Sequence, residues 1–143
     1  MNNPYSAYTR AHDLVDESDK RKVLLAVFRA LPEKIDLVKV LIAQKKYEMK
    51  YKELTKITTA LQILDQSLDM SYGEIPKSLS GLYGYLIRRL TEVHATLDPK
   101  TLDECKEIIT KIGDGFAEAY EKAKKTPPKQ PALESSGSVL TKI

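Results

Sequence analysis

Apolar residues return at every third or fourth position through four successive stretches of the chain, and no stretch alternates apolar with polar residues as a half-buried strand does. The first stretch carries Leu24, Phe28, Leu31, Ile35, Val38 and Ile42, and the second Tyr47, Tyr51, Leu54, Ile57, Leu61, Leu64 and Leu68. The third carries Ile75, Leu79, Leu82, Leu86, Leu90, Val93 and Leu97, and the fourth Leu102, Cys105, Ile109, Ile112, Phe116 and Tyr120. Steps of three and four come back to one face of an α-helix. The pattern therefore predicts an all-α chain folded as an antiparallel four-helix bundle.

Local signals mark the boundaries. Ser18 can cap the first helix, and Asp98 followed by Pro99 is a favourable N-cap and N1 pair for the last. Gly73, just before Ile75 and Pro76, separates the second helix from the third. Gln44 to Lys46 hold no strong breaker, so the first two helices either meet in a very tight turn or stay partly continuous. Pro32 removes one backbone hydrogen bond inside the first helix and is expected to kink it without breaking it.

The two ends differ from the bundle. Residues 1–17, with Tyr5 and Tyr8, make a short aromatic-bearing helical segment that cannot be stable alone, because short isolated helices are marginal in water. Beyond the bundle, 18–125, residues 126–143 turn to Pro, Ser and Lys and are expected to be a disordered tail.

Composition narrows the function classes. A chain of 143 residues with a hydrophobic fraction of 42% is one ordinary folded domain. The net charge of +3 lies in the segment Glu121–Ile143; Met1 to Tyr120 hold eighteen basic and eighteen acidic residues. The expected folded part is neutral, which argues against nucleic acid as a partner. A single cysteine suits a reducing compartment, and no apolar run reaches the roughly 20 residues of a membrane span. The polar start lacks a signal-peptide core. The reading is cytoplasmic, with no membrane insertion.

Candidate chemistry is sparse. Neither His12 nor His94 follows a Glu by three residues, which removes the Glu-x-x-His ligand pattern of di-iron bundles. Cys105 lies on the apolar stripe and reads as a buried structural thiol rather than a nucleophile, and the glycines form no phosphate loop. No catalytic residue, metal ligand or cofactor is expected. The unusual feature is the breadth of the apolar faces. A helix packed on one layer needs an apolar arc of about 100°, whereas the third helix has Tyr85, Leu82, Leu86, Leu90, Tyr83 and Ile87 spread over roughly 200°. The second has Met49, Ile63 and Met70 opposite its main stripe. Either the third helix is central, with scattered exposed apolar residues around it, or a groove receives an amphipathic partner helix.

One ordered set of residues favours the groove. Asn3-Pro4-Tyr5-x-x-Tyr8, Leu68-Asp69, Gly73-Glu74-Ile75, Leu79, Leu82-Tyr83-x-Tyr85 and Arg88-Arg89-Leu90 together resemble the FliS family, export chaperones of flagellin. The likeness runs from Asn3 to about Tyr120. Val27-Phe28-Arg29-Ala30-Leu31 stands where the family usually has Leu-Tyr-Asp-Gly-Ala, a single Gly73 precedes Glu74 where two are usual, and Phe116 stands near a usual Trp.

The resemblance implies a non-enzymatic chaperone in the cytoplasm. It would wrap the disordered C-terminal segment of flagellin, prevent premature polymerisation and deliver it to the flagellar export apparatus, with no nucleotide or metal. It also implies that the segment with Tyr5 and Tyr8 lies over part of the groove until the client displaces it. Of the third-helix residues, Leu79, Leu82, Leu86 and Leu90 are expected in the core, while Tyr83 and Ile87, with Ile63 and Met70, are expected to meet the client. Arg89 is expected to turn its guanidinium to a carboxylate or carbonyl, and Asp69 and Glu74 to cap or compensate a helix start. The alternative is a helical adaptor or co-chaperone for a partner other than flagellin, and the oligomeric state stays open.

Overall fold

The computed structural model describes residues 17–125; the N-terminal segment with Tyr5 and Tyr8, the tail from residue 126 and the roles expected of both lie outside them. Four long helices follow one another, α1 Glu17–Ala43, α2 Tyr47–Gln66, α3 Glu74–Thr96 and α4 Pro99–Lys125, with a 3-10 turn at Met70–Tyr72 between α2 and α3. Among the described residues there is no strand. Each helix packs on its chain neighbour and α1 closes against α4, so the short connections produce the predicted antiparallel four-helix bundle. Glu17 and Ser18 are already helical, so Ser18 does not cap α1.

The α1–α2 junction is the tight turn of the two alternatives. The Lys45 N–H donates to the Ile42 carbonyl at 3.0 Å and the Lys46 N–H to the Leu41 carbonyl at 2.8 Å. That pair of bonds is a Schellman close, which satisfies two carbonyls at the helix end. It needs a left-handed residue, and Lys45 supplies it at φ 58° where glycine is the usual occupant. Leu97 ends α3 in the simpler left-handed close, at φ 54° with a single bond from its N–H to the Val93 carbonyl at 2.9 Å. Asp98 then caps α4 by accepting from the Lys100 N–H at 2.9 Å, as the sequence predicts. Before α3, Asp69 accepts from the Ser71 N–H at 3.0 Å, and Gly73 makes the reversal at φ 92°. Pro76 lies in the first turn of α3, where its missing N–H costs nothing. Pro32 is accommodated within α1, which runs unbroken.

The core follows the predicted stripes in α1 and α4, from Leu24, Phe28, Leu31, Ile35 and Val38 to Leu102, Cys105, Ile109 and Phe116. It departs from them in two places. Tyr47 and Tyr51 are exposed and Lys50 is buried at the start of α2. In α3, Ile75 and Leu82 are exposed, and the buried line is Pro76, Tyr83, Leu86, Leu90 and Val93. Both registers keep helical spacing. The aromatic ring at 83 hides more apolar surface than the leucine at 82, which favours the observed rotation.

Candidate functional site

Contacts between neighbouring helices identify which edge of each helix faces which partner. Lys34 of α1 bonds Glu53 of α2 at 3.0 Å, so residues at steps of three and four from them share the α1–α2 edge. On α1 that edge carries Val23, Val27, Ala30 and Leu37, and on α2 it carries Met49, Lys56, Ala60 and Ile63. Only the Lys34–Glu53–Lys56 cluster interrupts this apolar edge; the two lysines donate to Glu53 and hold its carboxyl below the usual range. Ile63 is 57% exposed here.

The α3–α4 edge is set by Glu104, which accepts from the Tyr85 hydroxyl at 3.0 Å and from Arg89 Nε at 3.2 Å. Arg89 also meets Glu92 at 2.9 Å, so its guanidinium is held by carboxylates as expected. Seven and fourteen residues before Arg89 on this edge lie Leu82, 39% exposed, and Ile75, 55% exposed, with half-buried Leu79 beside them. Facing them from α4, at steps of three and four from Glu104, come Ile108, Ile112, Gly115 and Ala119. Their side chains are aliphatic or absent, and α3 and α4 pack on each other less extensively than the other neighbouring pairs. The result is a second apolar trough.

The other two edges are polar. Between α1 and α4, Lys106 bonds both Asp36 oxygens at 2.9 and 2.8 Å, and Lys39 pairs with Asp103. Between α2 and α3, the Tyr51 ring lies 5.0 Å from the His94 ring, with Thr58 and Asp65 further along the α2 edge. Burial, with Lys50 nearby, lowers the His94 pKa. The α1–α2 and α3–α4 edges therefore each carry exposed aliphatic residues beside one ionic cluster.

Sequence-predicted residues divide between these edges. Ile63 is on the α1–α2 edge; Met70, 46% exposed, is in the 3-10 turn that packs on α3. Ile87 is half-buried and, seven residues before His94, lies on the α2-facing edge of α3. These three are not brought onto one face. Tyr83 corrects the expectation that it lies off the packed stripe: it is fully buried among α3 core residues. Its hydroxyl and Asp65 Oδ1 have no protein partner, and burial, with the Asp65 charge second, raises the Tyr83 pKa. Leu82 is corrected in the opposite sense, from core to exposed edge. Cys105 is buried as expected, its thiol pushed up to about 11, mainly by that burial. The sequence alone points to the α2 side of the α1–α2 edge, through Met49 and Ile63, but its α1 side was missed, although the second line of apolar residues there, Val23, Val27, Ala30 and Leu37, was a visible signal for it.

Among the described residues no group of three His, Cys, Asp or Glu is arranged to hold a metal ion, and no helix is long and apolar enough to cross a membrane. The arrangement suits the uptake of amphipathic helical segments, whose apolar faces match the troughs.

The family model for the flagellar protein FliS matches residues 1–123. The flagellar secretion chaperone FliS of Bacillus subtilis (strain 168) is 25% identical over 125 residues, covering 87% of this chain and 92% of that protein.

Proposed function

Since the chain belongs to the FliS family, we propose that it is a non-enzymatic, cytoplasmic chaperone of flagellar secretion whose client is the disordered C-terminal segment of flagellin. It holds that segment as helix on its apolar edges, keeps it from polymerising and delivers it to the flagellar export apparatus. The observation that carries this reading is the exposed leucine and isoleucine along two of the bundle's edges, each beside one ion-paired cluster. Exposed leucine and isoleucine gathered along a helix edge mark an interaction surface. Leu82, Ile75 and Ile112 line the trough on one side, and Ile63 with Val27 the edge on the other. Tyr83 supports the α3 edge from within the core and does not touch the client.

Titration calorimetry of the protein with a flagellin C-terminal fragment tests this. Apolar burial with coupled folding predicts a clearly negative heat-capacity change and a gain in helical circular dichroism. Affinity is expected to vary little with ionic strength, because Met1 to Tyr120 is neutral and salt screens only exposed charge pairs. Absence of binding would direct the assignment to an adaptor for another partner. An affinity that collapses by orders of magnitude with salt would replace the apolar mechanism by an electrostatic one.

A further inference from the structure

Helix α4 ends at Lys125, and the sequence runs on for eighteen residues beyond it. Thr126-Pro127-Pro128 stops the helix there, because the prolines lack the N–H groups that would continue it and the residue before a proline disfavours helical backbone. The FliS family model matches only as far as residue 123, so this extension is an addition to the matched region.

The two edges that α4 borders offer the extension different surfaces. Toward α1 the edge carries the Lys106–Asp36 and Lys39–Asp103 pairs. Toward α3 the Glu104 cluster closes only the far end of the trough. From there to the end of α4 the walls are Leu82 and Ile75 on one side and Ile112, Gly115 and Ala119 on the other. An added Cβ at Gly115 would meet nothing within 4 Å, so this wall has room for a further side chain. Because α3 and α4 run antiparallel, Ile75 in the first turn of α3 lies toward the C-terminal end of α4. The trough therefore opens on the side from which the extension starts.

The extension has the chemistry and the length to return to it. Residues 126–138 hold three prolines, three serines and a glycine, and Val139, Leu140 and Ile143 follow. At about 100° per residue those three fall within one apolar arc of a helical turn. Ile112 stands thirteen residues before Lys125, about 20 Å along α4. The thirteen residues 126–138, as a flexible linker, average about 20 Å end to end. A linker whose length matches the span gives the group it carries an effective concentration on the order of mM. An anchor of millimolar affinity, too weak to act between molecules, is then docked about half the time within one.

We propose that the α3–α4 trough is a docking site for the chain's own C-terminal segment, with Val139, Leu140 and Ile143 seated against Ile75, Leu82 and Ile112. The segment is a tethered stand-in for the client: it covers apolar surface in the free protein and must leave before another amphipathic helix enters. The docking is independent of who the client is; the competition rests on the flagellin reading.

A nitroxide on Ser136→Cys in the full chain, read by methyl NMR, tests the proposal; Cys105 is fully buried and stays unlabelled. Broadening of the Ile75, Leu82 and Ile112 methyls is expected, with Ile63 on the opposite edge unaffected. Leu140→Asp with Ile143→Asp is expected to abolish it, and dilution with unlabelled protein to leave it unchanged. No broadening overturns the proposal. So does broadening that reaches Ile63 equally, survives the two aspartates or disappears on dilution. The same two aspartates are expected to tighten binding of the flagellin C-terminal fragment about two- to tenfold, since a millimolar effective concentration no longer competes. A fragment that binds with unchanged affinity while the tail is docked overturns the shared trough. A fragment that never binds counts against the flagellin reading alone, and the methyl broadening still decides whether the tail docks.

Discussion

Lys45 shows what one residue can be made to do by its neighbours. A side chain with a Cβ in the left-handed region costs roughly 1–2 kcal/mol, yet φ is 58° because the two Schellman bonds and the antiparallel return of α2 leave no other path. Lys45→Gly relieves that cost and gives back part of it as unfolded-chain entropy. The expected net effect is a gain of about 1 kcal/mol, seen as a rise in Tm of about 3 °C in a domain of this size. A fall in Tm would mean that the lysine side chain stabilises the turn by an interaction stronger than the backbone strain. Tyr83 is the opposite case, a residue whose placement was decided by size: its ring is buried completely although its hydroxyl finds no protein partner.

Helix α4 contains two glycines in one turn that the packing treats differently. At Gly113 an added Cβ would stand 3.0 Å from the Phe28 Cβ, an atom tied directly to the α1 backbone and unable to step aside. At Gly115 it would meet nothing within 4 Å. Glycine in a helix interior is about 0.5–1 kcal/mol worse than alanine. Gly115→Ala is therefore expected to stabilise by roughly that amount, whereas at Gly113→Ala the gain is outweighed by pushing α1 from α4 and loosening the Phe28–Phe116 contact, whose rings stand 5.2 Å apart. Urea unfolding of the two variants gives the comparison. Equal stabilisation of both would show that the α1–α4 seam yields more easily than a close-packed interior should.

Across the whole bundle, what distinguishes the core from the proposed client face is position on the ring of helices rather than residue type. Leu86 and Leu82 lie four apart on α3 with the same side chain. One is fully buried and the other is on the open α3–α4 trough. Leu86→Ala is expected to destabilise the protein by about 2–5 kcal/mol, as deletion of a buried leucine does. Leu82→Gln is expected to leave Tm within a few degrees while weakening binding of the flagellin fragment. If Leu82→Gln melts the bundle as badly as Leu86→Ala and binding is untouched, the trough is only an extension of the core.

The helical class, the four helices, most of their ends and the α1 and α4 core stripes were legible in the residues themselves, because they rest on local rules: the 3.6 period, the Asp98 cap ahead of Pro99, the reversal at Gly73. So was Arg89, since a guanidinium within an apolar arc must find a carboxylate and finds Glu104. The family resemblance, carried by short ordered motifs, was equally readable. Two registers of α3, one through Leu82 and one through Tyr83, satisfied the same period, and nothing local separates them. Only the bundle could choose, by turning the larger ring inward. The same holds for Ile63, Met70 and Ile87, which a single-helix view gathers into one groove. Their edges depend on which helix stands to either side, a fact made by the Lys34–Glu53 bond, the Tyr51–His94 contact and the closure of α1 on α4. Periodicity tells a helix which residues to hide. The neighbours decide how many sides there are to hide them on, and so which apolar residues are left to meet a partner.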